Sequence, residues 1–232
     1  PGPVLALVRP PGHHAERDKA MGFCLLNNAA VAAAHARALG AARVAVLDID
    51  VHHGNGTQWM FYGDPTVLYV SLHQFPYYPG TGAASEIGRG PGAGFTVNVP
   101  LEAGATDADY DLALREAVLP VLDRQAPDVL VVSAGFDAHQ RDPLASMRVS
   151  TEGYATMIAR LHAFTARRCG GRLVALTEGG YDLQALSDCL DATVSTLATA
   201  AIDPPAVRGD SVRAREAIEA VRRAPQPYWP GL

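Results

Sequence analysis

Short runs of β-branched and aliphatic residues alternate along this chain with stretches of helical length, and nothing else in the sequence narrows the fold as much. The runs are Val4 to Val8, Arg43 to Ile49, Val67 to Leu72, Val129 to Ser133 and Leu173 to Thr177. Most are apolar at every position, as strands covered on both faces must be. Between them lie Asn28 to Leu39, Ala108 to Gln125 and Glu152 to Arg168, with Gln184 to Ala200 after the last. The pattern predicts an α/β fold with a central, mainly parallel sheet and helices on both faces. Pro120 should kink the second helix or split it. The segment from His73 to Pro100, dense in Gly, Pro and Tyr, reads as a long functional loop. The tail from Asp203 to Leu232 reads as a short surface helix with a Pro/Trp-containing end.

At 232 residues the chain is long enough for one sizeable core. Its 24 acidic residues against 19 Lys+Arg give a formal net charge of −5, with no basic patch, so binding through nucleic-acid phosphates is not expected. No apolar run reaches membrane-spanning length and no signal segment is visible, so a soluble, cytoplasmic protein with no membrane partner is expected. The three cysteines, Cys24, Cys169 and Cys189, lack CxxC spacing and read as buried small hydrophobes. The chain opens on Pro1, with Val4 to Val8 already reading as an interior strand, from which a missing N-terminal portion is expected.

The chemistry collects behind the strands. After Val4 to Val8 come His13 and His14; after Arg43 to Ile49, the run Asp48-Ile49-Asp50-Val51-His52-His53-Gly54-Asn55; after Val129 to Ser133, Asp137; after Leu173 to Thr177, Glu178-Gly179-Gly180-Tyr181. In an open parallel sheet, ligands sit outside the carboxyl ends of the strands. Asp50 and His52, two apart, point the same way. With Asp137 they form a carboxylate/imidazole/carboxylate set suited to a divalent ion with an open position. Paired imidazoles beside it offer a base, with Asp48 and Asn55 as partners for their outer nitrogens. The Tyr181 phenol could donate to a developing oxyanion. Taken singly, Asp-x-His is more often a turn cap beside a loop histidine, and Gly-Gly-Tyr a plugged turn; four coincident strand ends weigh against that.

At these residues the sequence resembles the zinc-dependent histone deacetylases, in their bacterial, class II-like branch. RPPGHH, GFCLLNN, DIDVHHGNGT, SLHQF, PGTG, NVPL, SAGFDAHQRDPL and EGGYDL carry the resemblance from about Arg9 to Leu186. It implies a three-layer arginase-like fold and one deacetylase domain over 1–232, N-terminally truncated. It also implies Zn²⁺ on Asp50, His52 and Asp137; His14 as general base and acid, paired with Asn55; His13 as its electrostatic companion, paired with Asp48; and Tyr181 polarising the amide carbonyl. Phe23 and Tyr78 match the acyl-lysine tunnel walls, the second usually Phe. Gly22 matches a glycine whose carbonyl faces the substrate amide, and Gly179 and Gly180 flank the substrate. Two potassium sites are implied, one near Asp48, Asp50, His52, Ser71 and Leu72, the other at backbone carbonyls of Phe61, Asp64, Val67 and Phe95. The arginases, on the same fold, use two manganese ions; Gly54 and His139 stand here where the second metal's carboxylates would be. Leu144 occupies the position where polyamine-selective members carry Glu, which favours acyl-lysine in proteins or peptides over acetylpolyamines. The alternatives are an acetylpolyamine amidohydrolase and a non-catalytic acetyl-lysine binder; homo-oligomerisation stays open.

Overall fold

In a computed structural model that describes residues 2–224 and 228–229, six strands form one sheet. They are β1 (Val4–Ala6), β2 (Val44–Asp48), β3 (Val67–Gln74), β4 (Thr96–Leu101), β5 (Val129–Ala134) and β6 (Leu173–Thr177). The order is β1-β6-β5-β2-β3-β4 and every pairing is parallel. The chain therefore adds β3 and β4 on one side of β2, then returns to add β5 and β6 on the other. Strand order reverses between β2 and β5, where the carboxyl ends leave a crevice. In register, Asp48 lies level with Ser71 of β3 and Ser133 of β5.

Helices cover both faces. Seven are found among the described residues: α1 (Asn28–Ala38), α2 (Asn55–Phe61), α3 (Asp107–Ala113), α4 (Leu119–Gln125), α5 (Thr151–Arg168), α6 (Leu183–Leu197) and α7 (Val212–Arg223). Alternate strand residues sort the layers. Leu47, Leu68, Val70 and Val132 pack with Tyr110, Leu122, Tyr154 and Ile158 of α3, α4 and α5. Val46, Tyr69 and Val131 pack with Ala29 and Ala33 of α1. Small residues let α1 sit close to the sheet, and Asn27 caps it by accepting the Ala30 N–H at 2.9 Å. Between α3 and α4, residues Leu114–Val118 open into a π-helical turn, with the Leu119 N–H reaching the Leu114 carbonyl. Pro120 has no N–H to continue an α-helical ladder, so the predicted split falls where a donor is missing.

Two expectations need correction. Among the described residues Val4 to Val8 stands at an edge of the sheet: β1 pairs there only with β6, and Val4 and Leu7 are exposed. The segment His73 to Pro100 is not loop throughout, since it ends in β4. Asn98 and Pro100 hid that strand, and its place at the sheet edge is where a proline that cannot donate to a ladder is tolerated. The tail forms the expected short surface helix, α7, with Ala214, Ala217, Ile218 and Val221 on its buried face. Of the Pro/Trp-containing end, Tyr228 and Trp229 are described, and the Trp229 indole N–H donates to the Gly94 carbonyl at 2.7 Å. Pro225, Gln226, Pro227, Pro230, Gly231 and Leu232 lie outside the described residues. All three cysteines are buried and free.

Candidate active site

The reversal in strand order brings the turn after β2 against the turn after β5. His52 Nδ1 lies 3.0 Å from Asp50 Oδ1 and 3.1 Å from Asp137 Oδ2. One ligand atom from each residue falls within 4.8 Å of the others, the one such group among the described residues. The outward oxygens are already committed: Asp137 Oδ1 accepts the Val51 N–H at 2.9 Å and Asp50 Oδ2 the Gly179 N–H at 2.8 Å. Gly179 is needed for this, because a Cβ there would run into Asp137 Oδ2. Both carboxylates are buried, and burial followed by the charge of Asp50 pushes Asp137 up to about 7. Against burial, the bonds and charges of the two carboxylates push His52 up to about 10. Buried acids this close require positive charge, and two oxygens with one imidazole nitrogen make a donor set that suits zinc.

The two leading histidines face this cluster with different partners. His13 Nδ1 lies 3.0 Å from Asp48 Oδ2, and His14 Nδ1 lies 2.8 Å from Asn55 Oδ1. The Asn55 amide nitrogen donates to Glu16 at 2.8 Å, which turns its oxygen toward His14. His14 Nδ1 therefore carries a proton and Nε2 is left as an acceptor, a tautomer assigned from the hydrogen-bond network. Burial and the charge of His13 lower His14 to about 3, so it is neutral. For His13, burial is outweighed by Asp48, Asp50 and Glu178, and its pKa is raised well above the ordinary value. The ring centroids are 4.0 Å apart, so one charged and one neutral imidazole stand side by side.

Glu178 fastens the histidine loop to the sheet. It accepts the Gly12 N–H at 2.6 Å, the His13 N–H at 3.1 Å and the Ser133 hydroxyl at 3.0 Å. Sequence reasoning passed over it and Glu16; for Glu178, its place at the end of β6 beside Gly179 was the available signal.

A narrow pocket of about 40 Å³ opens over the cluster, lined by Pro11, His13, His14, Gly22, Phe23, His52, Tyr78, Leu144, Gly179 and Tyr181. The Tyr78 ring meets His14 edge-on at 5.1 Å, and Phe23 lies 6.2 Å from Tyr181. Gly22 has φ 54°, and a Cβ there would collide with the His14 ring; its carbonyl lies 3.3 Å from Cys24 Sγ. Gly180 lies behind the wall, against Leu186 and Phe136. Burial, then Asp50 and Asp137, raise Tyr181, keeping the phenol protonated. Tyr77, not singled out in the sequence, stacks on His52 at 5.4 Å.

Neither expected potassium site gains support. Ser71 Oγ is bonded to His73 at 2.9 Å, and Asp48 accepts from His13, Tyr69 and the Asp50 N–H. The carbonyls of Phe61 and Phe95 accept the N–H groups of Asp64 and Tyr69. Asp64 itself takes both donors of Thr66, and Val67 lies in the β2–β3 ladder, as does Leu72 in the β3–β4 ladder.

The histone deacetylase domain family matches residues 2–197. Histone deacetylase 15 of Arabidopsis thaliana is 44% identical over 233 residues, covering 98% of this chain and 42% of that protein. A probable deacetylase of Archaeoglobus fulgidus is 40% identical over 241 residues, covering 97% of this chain and 67% of the other. The crystal structure of the HDA15 HD domain superposes with a TM-score of 0.87 at 43% identity, over 97% of this chain and 63% of that one. The chain thus spans less than half of the plant relative. The matched stretch takes in all six strands and every loop of the pocket, on the arginase-like α/β architecture, and on that ground this chain belongs to the histone deacetylase family.

Proposed function

We propose that the chain is a zinc-dependent amidohydrolase that removes acetyl or other acyl groups from lysine side chains of proteins or peptides. The observation that carries this reading is the Asp50, His52 and Asp137 cluster at the foot of a narrow aromatic pocket, with His13 bonded to Asp48 and His14 bonded to Asn55 beside it. Zinc held by those three residues would supply Lewis acidity to water and to the acyl carbonyl. His14 Nε2, free because Asn55 holds the opposite nitrogen, takes the proton of the attacking water and returns it to the departing amine. His13 stays charged through Asp48 and keeps its neighbour unprotonated between turnovers. The Tyr181 phenol donates to the oxyanion as it develops, a contribution of about 3 kcal/mol for such a donor. Phe23 and Tyr78 flank the aliphatic stem and exclude water. The exposed, apolar Leu144 at the mouth offers no charge to a distal ammonium, which favours acyl-lysine over acetylpolyamines.

The test is zinc content by elemental analysis together with hydrolysis of an acetyl-lysine peptide beside acetylspermidine. One zinc per chain and faster hydrolysis of the peptide are expected. Zinc uptake without hydrolysis of either would make the protein a binder, and preference for acetylspermidine would move it to the polyamine class.

A further inference from the structure

Tyr181 follows two glycines, so its own segment does little to hold it in place. Its backbone is held from elsewhere. The Tyr181 N–H donates to Asp142 Oδ2 at 2.7 Å, and the other oxygen of that carboxylate accepts the Leu144 N–H at 3.0 Å. Asp142 is buried, and its own N–H donates to the His139 carbonyl at 2.8 Å. An aspartate that takes the N–H two residues on is an ordinary turn and would need no further explanation. The bond to Tyr181, 39 positions away in sequence, is not local.

These segments carry two further ties, one to a third loop and one to each other. Leu144 is gripped on its carbonyl by the Tyr77 hydroxyl, and Tyr77 stacks on His52. Arg141 pairs with Asp182 at 3.1 Å, an exposed contact of little energetic weight that runs between the same two segments. The Asp142 carboxylate is the one group in this set that touches both the oxyanion donor's backbone and that of the side chain at the mouth.

We infer that Asp142 is a positioning residue, whose carboxylate sets the spacing between Tyr181 and Leu144 across the pocket rim. It neither lines the pocket nor belongs to the metal-type cluster, and it acts through Tyr181. The inference rests on the hydrolase reading above for its kinetic consequence, though not for its structural one.

The experiment uses the full chain loaded with zinc. Asparagine retains one acceptor and cannot serve both N–H groups. Asp142→Asn should lower kcat about tenfold while KM moves less than about twofold, the mark of a group displaced from where the transition state needs it. In a Tyr181→Phe background the same substitution should change kcat by less than about twofold, because a residue acting through the phenol has nothing left to position. Equal losses in both backgrounds would overturn the inference. Amide hydrogen exchange decides independently of activity. In Asp142→Ala, Tyr181 and Leu144 should exchange at least about tenfold faster, while Gly12 and His13, held by Glu178, stay protected. Unchanged protection at Tyr181, or loss of protection throughout the sheet, would overturn it. If the unmutated protein hydrolyses no amide, the functional reading fails and the exchange result still stands for or against Asp142.

Discussion

Two pairs of buried histidines with their rings in tilted contact behave in opposite ways in this molecule. His13 and His14 stand 4.0 Å apart with a carboxylate on one ring and an amide on the other, and become one cation and one neutral base. His53 and His73 stand 4.9 Å apart. Their partners are Thr81 and Gln58 for His53, and Ser71 and the Gly82 carbonyl for His73. None of these is a carboxylate, so neither ring has a charged hydrogen-bond partner to oppose burial. It lowers His73 to about 4, and burial together with His73 lowers His53 well below its ordinary value. Burial alone makes imidazoles neutral and structural; a carboxylate within hydrogen-bond reach is what makes one of them a cation. The second pair instead pins Thr81 to the turn that carries His52 and Gly82 to β3, just beyond Tyr77 and Tyr78.

The sharpest way to break this contrast is to remove one ring from each pair. His14→Ala should lower kcat by roughly 10³-fold, within the range for a positioned acid-base group. His73→Phe should leave kcat within a few-fold and instead lower the urea midpoint of unfolding. Comparable losses of kcat in the two variants would erase the distinction.

A pH series sharpens it next. The folded pKa of His73 is depressed to about 4 from an unfolded 6.5, so its contribution to stability is complete above pH 6.5 and is lost as pH falls toward 4. Over that window the loss is about 3 kcal/mol. His13, raised by its carboxylates, has the opposite sign: its contribution is complete below 6.5 and is lost as pH rises through its folded pKa. Urea midpoints from pH 7 to 4 should fall in the unmutated protein and fall less steeply in His73→Phe. Parallel curves would show that His73 is not the group titrating.

A smaller effect is expected from Asp48→Asn, which removes the leading positive influence on His13 while keeping a hydrogen-bonding side chain. The kcat should fall about tenfold, the scale of one lost charge-assisted interaction. An unchanged kcat would mean that the charge on His13 is immaterial. Smallest is Leu144→Glu, placing one charge at the mouth and nothing at either pair: the ratio of kcat/KM for acetylspermidine over peptide should rise several-fold, the worth of a partly screened charge pair. No shift in that ratio would detach Leu144 from selectivity.

Much of this was readable before any coordinates. The β-rich runs became β2, β3, β5 and β6 nearly as expected because their residues are apolar on both faces, and only a covered parallel strand tolerates that. The partners of His13 and His14 could be named from residue type, since Asp48 and Asn55 are the polar groups carried by the same turn. Glu178, Glu16, Asp142 and Tyr77 were not legible. Each acts on a loop far from it in the chain, and a carboxylate or phenol in a motif carries no mark of which remote N–H, amide or carbonyl it will meet.

Residue chemistry and periodicity by themselves determined the alternation of strand and helix and the collection of acids and imidazoles behind the strands, and the resemblance of the motifs pointed to the family. The tertiary structure alone decided the order of the strands. Hydrophobic patterning says which faces are buried and is silent on which strand lies beside which, so the reversal between β2 and β5 that brings Asp50 to Asp137 is a property of the assembled sheet. It likewise decided that β1 and β4 stand at the edges of the sheet among the described residues, and which imidazoles are charged, because ionisation in a dry interior depends on distances between groups that the chain brings together only when it closes.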